Sequence, residues 1–118
     1  MSENTLEELR NNLRQFAIER DWDKFHSPKN LSMALIAEVA ELVEHFQWLT
    51  EEQSRNLDPE KLAEVELEIA DIQIYLVRLA DKLQVDVMAA VEKKLAINAH
   101  KYPPDKVRGS SKKYSEYK

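Results

Sequence analysis

The chain has 118 residues, 33% of them charged and 43% hydrophobic, which fits one soluble globular domain and excludes a disordered or multi-domain protein. A single glycine, Gly109, excludes glycine-rich phosphate loops and dinucleotide fingerprints, and the lack of cysteine excludes thiolate zinc sites, iron-sulfur clusters, a cysteine nucleophile and disulfides. The formal charge of −5 is unevenly spread: residues 1–100 carry 11 cations against 20 acids, net −9, and residues 101–118 carry six against two, net +4, so the body repels polyphosphate unless a metal intervenes.

The opening MSENTLEELR has no apolar leader, and no run reaches the roughly 18 apolar residues of a membrane span. A cytoplasmic protein without a membrane partner is expected. Thr5 and Glu8 have capping-box spacing, and Leu6, Leu9, Leu13 and Phe16 recur at helical steps, which predicts a first helix to about Arg20. The segment RDWDKFH, Arg20 to His26, breaks that period with two acids and two aromatics and reads as a loop. Ser27-Pro28 then caps a second helix, predicted to reach Trp48 with Leu31, Leu35, Val39, Leu42 and Phe46 on one side. Thr50 to Leu57 reads as a polar connection.

Asp58-Pro59 repeats the cap-plus-proline signal and opens a third helix, where Leu62, Val65, Ile69, Ile72, Leu76, Leu79 and Leu83 alternate steps of three and four. Leu67, Ala70, Ile74 and Val77 form a second stripe about 150° around. A small bundle cannot bury both, so a homo-oligomer is expected, one stripe packing within the subunit and the other across it. Val87, Val91, Leu95, Asn98 and Tyr102 mark a fourth helix that stops at Pro103-Pro104. The expected fold is all-α, a four-helix bundle over residues 1–102, with a basic tail over 103–118.

Glu38 and Glu41 project from one face of the second helix, and Glu64, Glu68 and Asp71 do the same on the third, between its apolar stripes. Carboxylates gathered in a half-buried place repel one another and raise their pKa values unless a cation neutralises them. An all-oxygen set suits a hard divalent ion, Mg²⁺ with Mn²⁺ as the alternative. A di-iron carboxylate centre needs Glu-x-x-His pairs, whereas the residues three beyond Glu38, Glu41 and Glu68 are Glu41, Glu44 and Asp71. The competing reading is a solvated acidic face, the usual place of helical Glu and Asp.

The stretches RDWDKFH, NLSMALIAEVAELVEHFQW, ELEIADIQIYLVRLA, KLAINAHKYP and RGSSKKYSEY together resemble the MazG-like all-α nucleotide pyrophosphohydrolases, in particular the dCTP pyrophosphatase branch, from about Leu13 to Tyr117. The resemblance implies a helical dimer or tetramer that hydrolyses nucleoside triphosphates to the monophosphate and pyrophosphate with Mg²⁺. It implies Glu38, Glu41, Glu68 and Asp71 as catalytic metal ligands, Trp22 and Trp48 around the base, and Tyr75, Lys94 and Asn98 facing substrate. His26 matches the family's loop and joins the substrate-binding set. The chain departs from the wider pattern at Ala37, where a further Glu is usual, and from its branch at Leu13, where a histidine can stand near the base.

Taken by themselves, the two tryptophans fit either base stacking or half-buried core edges. His45 lies one turn after Glu41, but the family has an apolar residue there, and it is read as structural. Arg108, Lys112 and Lys113 suit either a flap over the triphosphate or a free terminus. The acidic body argues against nucleic acid. The alternative to an enzyme is a helical interaction module whose apolar stripe binds a partner helix.

Overall fold

The computed structural model describes residues 5–111, and within them the chain is helical. Helix α1 spans Leu6–Glu19, α2 Pro28–Glu44, α3 Glu51–Arg55, α4 Pro59–Lys82, α5 Val87–Lys101 and α6 Pro104–Val107, with a 3₁₀ turn at Asp23–Phe25. The all-α expectation and its four main helices are borne out. The chain divides into two compact units, Met1–Val85 and Asp86–Lys118. No helix of the described residues is long and apolar enough to cross a membrane.

Each long helix starts where a short polar side chain replaces a missing backbone partner. Thr5 Oγ1 accepts from Glu8 N at 3.1 Å, Ser27 Oγ from Asn30 N at 3.1 Å, Asp58 Oδ1 from Lys61 N at 2.8 Å and Asp86 Oδ1 from Ala89 N at 3.0 Å. Pro28 and Pro59 occupy the first helical turn, where no amide donor is needed.

The helix ends are less conventional, because the chain has almost no glycine to spend on them. Asp21 and Gln84 take the left-handed conformation, at φ 54° and 57°. Each lets the next amide reach back five residues, Trp22 N to Ala17 O at 2.9 Å and Val85 N to Ala80 O at 2.8 Å. With Asp21 N on Ile18 O and Gln84 N on Asp81 O, both ends are Schellman closures built without glycine. The first reverses the chain directly into the aromatic loop.

In the first unit α4 packs against α2 and α1. The buried apolar residues are Ala17 of α1, Leu31 of α2, and Val65 and Val77 of α4. The expected seam of α4 is therefore not one buried line. Val65 is buried and Ile72 and Leu79 are half-buried, while Leu62, Ile69, Leu76 and Leu83, seven residues apart, stay exposed. The second stripe divides too, with Val77 buried and Leu67 70% exposed. Seven residues fall short of two full turns, so a straight helix rotates such a line out of any one neighbour.

Three expectations need correction. Helix α2 stops at Glu44, and the chain passes through tight turns, Phe46 N to Val43 O and Leu49 N to Phe46 O, before Thr50. The supposed polar connection contains α3, because Thr50 and Gln53 form a reciprocal capping box: Gln53 N donates to Thr50 Oγ1 and Thr50 N to Gln53 Oε1. Beyond Pro103, Pro104 opens one more turn, α6. In the second unit α5 and α6 are joined through Tyr102, whose amide donates to Asn98 O at 2.8 Å. Lys112, Lys113 and Tyr117 lie outside the described residues.

Candidate active site

Helices α2 and α4 bring Glu38, Glu41 and Glu68 together, so that one oxygen from each lies within 4.8 Å of the others. The three-residue step places Glu38 and Glu41 on one face of α2, and the packing of α2 on α4 carries Glu68 to them. Glu38 and Glu68 are half-buried and Glu41 is exposed. Among the described residues, Glu38 Oε2 and Glu68 Oε2 are buried with no hydrogen-bond partner. Burial pushes the Glu38 carboxyl up to about 7, with Glu41 adding hydrogen bonding and charge, then Glu68, then the charge of Asp71.

Two buried carboxylate oxygens left without donors are costly unless something positive meets them. The donor set is entirely carboxylate, and it is open on the Glu41 side, which fits a hard divalent cation with room for further oxygen ligands. Asp71 is exposed and lies outside the trio, one helical turn beyond Glu68, and acts on it through its charge. Tyr75 follows one turn later and is half-buried.

His45 stands at the edge of this cluster. Its Nε2 lies 4.0 Å from Glu68 Oε1, its Nδ1 3.7 Å from Glu64 Oε2 and 3.4 Å from Lys61 Nζ. These distances place it beside a candidate ligand without giving it a role there. The cue available in the sequence was its position one turn beyond Glu41.

The aromatic loop is tied to α4 by charge. Arg78, 4% exposed, donates from a terminal nitrogen to Asp23 Oδ1 at 2.7 Å and from Nε to His26 Nδ1 at 3.3 Å. Lys82 Nζ also meets Asp23 Oδ1 at 2.7 Å, and Arg14 Nε donates to Asp81 Oδ2 at 2.7 Å. Hydrogen bonds from Lys82 and Arg78 hold the Asp23 carboxyl below the usual range, and the bond from Arg14 does so for Asp81. Arg78 and Lys82 thus spend their charge on Asp23 and Asp81.

Trp22, on the same loop, is 47% exposed and meets Phe16 edge-on, with centroids 5.8 Å apart. Trp48, in the turns after α2, is 86% exposed. Neither ring is a core residue. Lys94 and Asn98 sit one turn apart on α5, in the second unit, where Lys94 is exposed and Asn98 half-buried.

The model of the MazG-like family matches residues 34–117. The human dCTP pyrophosphatase 1 is 45% identical over 116 residues, 97% of this chain and 68% of that protein. The bovine dCTP pyrophosphatase 1 is 44% identical over 117 residues, 98% of this chain and 69% of that one. A crystal structure of a pyrophosphatase from Archaeoglobus fulgidus DSM 4304 superposes with a TM-score of 0.80 at 40% identity, covering 87% of this chain and 96% of that one.

Proposed function

The chain belongs to the MazG-like family and is a nucleoside triphosphate pyrophosphohydrolase, and on that premise we propose that it converts dCTP, or a closely related nucleotide, to the monophosphate and pyrophosphate with Mg²⁺ held by Glu38, Glu41, Glu68 and Asp71. The observation that carries this reading is the trio of carboxylates with two buried, partnerless oxygens. Mn²⁺ is the alternative ion for the same donor set.

When bound, Mg²⁺ supplies positive charge that offsets the triphosphate and the charge developing on the leaving pyrophosphate. Glu38 and Glu68, half-buried, would hold the ion together with the exposed Glu41 and Asp71. Trp22 and Trp48 are exposed and available to the base, and Tyr75 and His26 complete the substrate-binding set of this unit. The family resemblance adds Lys94 and Asn98 of α5 to the substrate-binding set. In the reaction a water oxygen adds to the α-phosphorus, the bond to the α–β bridging oxygen breaks, and pyrophosphate leaves with that oxygen. The water's proton passes to a carboxylate outside the ligand set or on its exposed edge, Glu44 or Glu41.

A homo-oligomer, dimer or tetramer, is part of this reading. Leu62, Ile69, Leu76 and Leu83 expose a heptad line on α4, and a second copy would cover it. The cytoplasm, as a reducing compartment, suits a chain without cysteine, and no nucleic-acid or membrane partner is assigned.

The test is incubation with dCTP and Mg²⁺ and separation of the products. Equal amounts of dCMP and pyrophosphate are expected. Formation of dCDP and orthophosphate, or no turnover across a panel of nucleoside triphosphates, would contradict the reaction.

A further inference from the structure

The proposed reaction leaves unused the most buried charge among the described residues, Arg78. It lies two helical turns beyond Asp71 on α4, and its donors converge on the loop that carries Trp22. Nε lies 3.3 Å from His26 Nδ1, and a terminal nitrogen lies 3.2 Å from the same Nδ1 and 2.7 Å from Asp23 Oδ1. The other terminal nitrogen lies 3.5 Å from Asp81 Oδ2. A guanidinium has only donors, so a ring nitrogen facing two of its N–H groups must offer a lone pair. His26 Nδ1 is then unprotonated, and a neutral ring carries its one proton on Nε2.

We propose that Arg78 is a positioning residue of the substrate site, which pins the Trp22–His26 loop through Asp23 and fixes His26 as a neutral Nε2–H donor for an acceptor oxygen of the nucleotide. This rests on the pyrophosphohydrolase reading for the identity of the ligand, but not for the tautomer. The charged groups facing His26 are Arg78, Lys82 and Asp23; burial first and Arg78 second depress its pKa, Lys82 adds to this, and Asp23 opposes it. The supporting geometry is redundant. Lys82 shares Asp23, and Arg14 shares Asp81, so the guanidinium is held from both sides. A neutral donor suits recognition here, because it hydrogen-bonds an oxygen without drawing the triphosphate away from the metal as a full charge would.

The test is long-range ¹H–¹⁵N correlation of the histidine side chains in the full chain without nucleotide, with His26 assigned by its loss in His26→Gln. One Nε2–H tautomer at pH 7 is expected in the parent. Arg78→Lys keeps the charge but loses the planar fork, and should mix the tautomers and raise KM for the nucleotide about fivefold with little change in kcat. An Nδ1–H tautomer or a doubly protonated ring in the parent at pH 7 would overturn the assignment, as would an unchanged tautomer in folded Arg78→Lys. If Arg78→Lys does not fold, Asp23→Asn, an exposed substitution, should raise KM with kcat retained, and an unchanged KM there would overturn the clamp. Absence of turnover in the parent counts against the reaction, whereas a wrong tautomer counts against this assignment alone.

Discussion

Glu38 of α2 and Glu68 of α4 face each other across a helix-helix contact, each with one oxygen buried and without a hydrogen-bond partner. Such a pair is unfavourable in the fold by itself and favourable once a cation lies between its members, so stability and activity are set against each other at these two residues.

Removing one of the charges should separate the two effects. Glu68→Gln and Glu38→Gln each relieve repulsion in the metal-free protein, so its Tm should equal or exceed that of the parent. Each also replaces an anionic ligand with a weak amide, and kcat/KM should fall by about 100-fold or more. Asp71→Asn should lose activity with a smaller gain in Tm, because Asp71 is exposed and lies outside the trio. Thermal melts with and without Mg²⁺ check this: only the parent should gain fully from the metal. A Glu68→Gln variant that melts lower without metal, or keeps its activity, would show that the carboxylate serves the fold.

The pH dependence follows from the same residue. Glu38 is raised from 4.5 to about 7 in the fold, so the folded state binds the proton more tightly than the unfolded one. The destabilisation is fully present above pH 7 and relieved as pH falls toward the ordinary carboxylate range. His26 has the opposite sign: its pKa is depressed, and stability is lost as pH falls through the ordinary histidine value. Asp23 and Asp81, held low, add stability that is fully present above the ordinary carboxylate value and lost as pH falls from there through their own depressed values. The difference in Tm between metal-free Glu38→Gln and parent isolates the Glu38 contribution. It should be largest near pH 8 and fade as pH falls through the ordinary carboxylate value of 4.5; a constant difference would place the effect elsewhere.

Trp48 is too exposed to contribute much to the core, which makes it a clean probe of base recognition. Base stacking is worth about 1–3 kcal/mol, so Trp48→Ala should raise KM about tenfold while Tm changes little. Steady-state kinetics and a melt on the same sample decide it. A large loss of Tm with unchanged KM would return Trp48 to a structural role.

The starts of α2 and α4 were legible in the sequence because a cap and a proline announce each of them, and that of α1 because Thr5 and Glu8 have capping-box spacing. The ends of α1, α4 and α5 followed from where the apolar period stops, although Asp21 and Gln84 hold left-handed positions where glycine is the usual signal; the end of α2 did not, because its apolar period runs on past Glu44. Helix α3 was legible in principle from Thr50 and Gln53, but short polar segments also read as loop. At the site, Glu38 with Glu41 could be paired by spacing, and Glu68 needed only one interhelical contact. The Arg78 network could not be read, since Asp23, His26 and Arg14 lie more than fifty residues from their partners on α4. Nor does periodicity say how much of an apolar line one neighbour covers, and Leu62, Ile69, Leu76 and Leu83 keep the period of a seam while staying exposed.

Those exposed residues predict assembly. Light scattering at micromolar concentration should show a species of at least twice 13.8 kDa, and Ile69→Glu with Leu76→Glu should reduce it to the monomer. A monomeric parent would contradict the oligomer.

The most direct test of the central claim is a calorimetric titration of Mg²⁺ and a non-hydrolysable α,β-imido analogue of dCTP into parent and Glu68→Gln. Reciprocal coupling is predicted in the parent, each ligand tightening the other by about tenfold or more, and its loss in Glu68→Gln. Nucleotide affinity that is the same with and without Mg²⁺ in the parent, or full coupling in Glu68→Gln, would contradict the account.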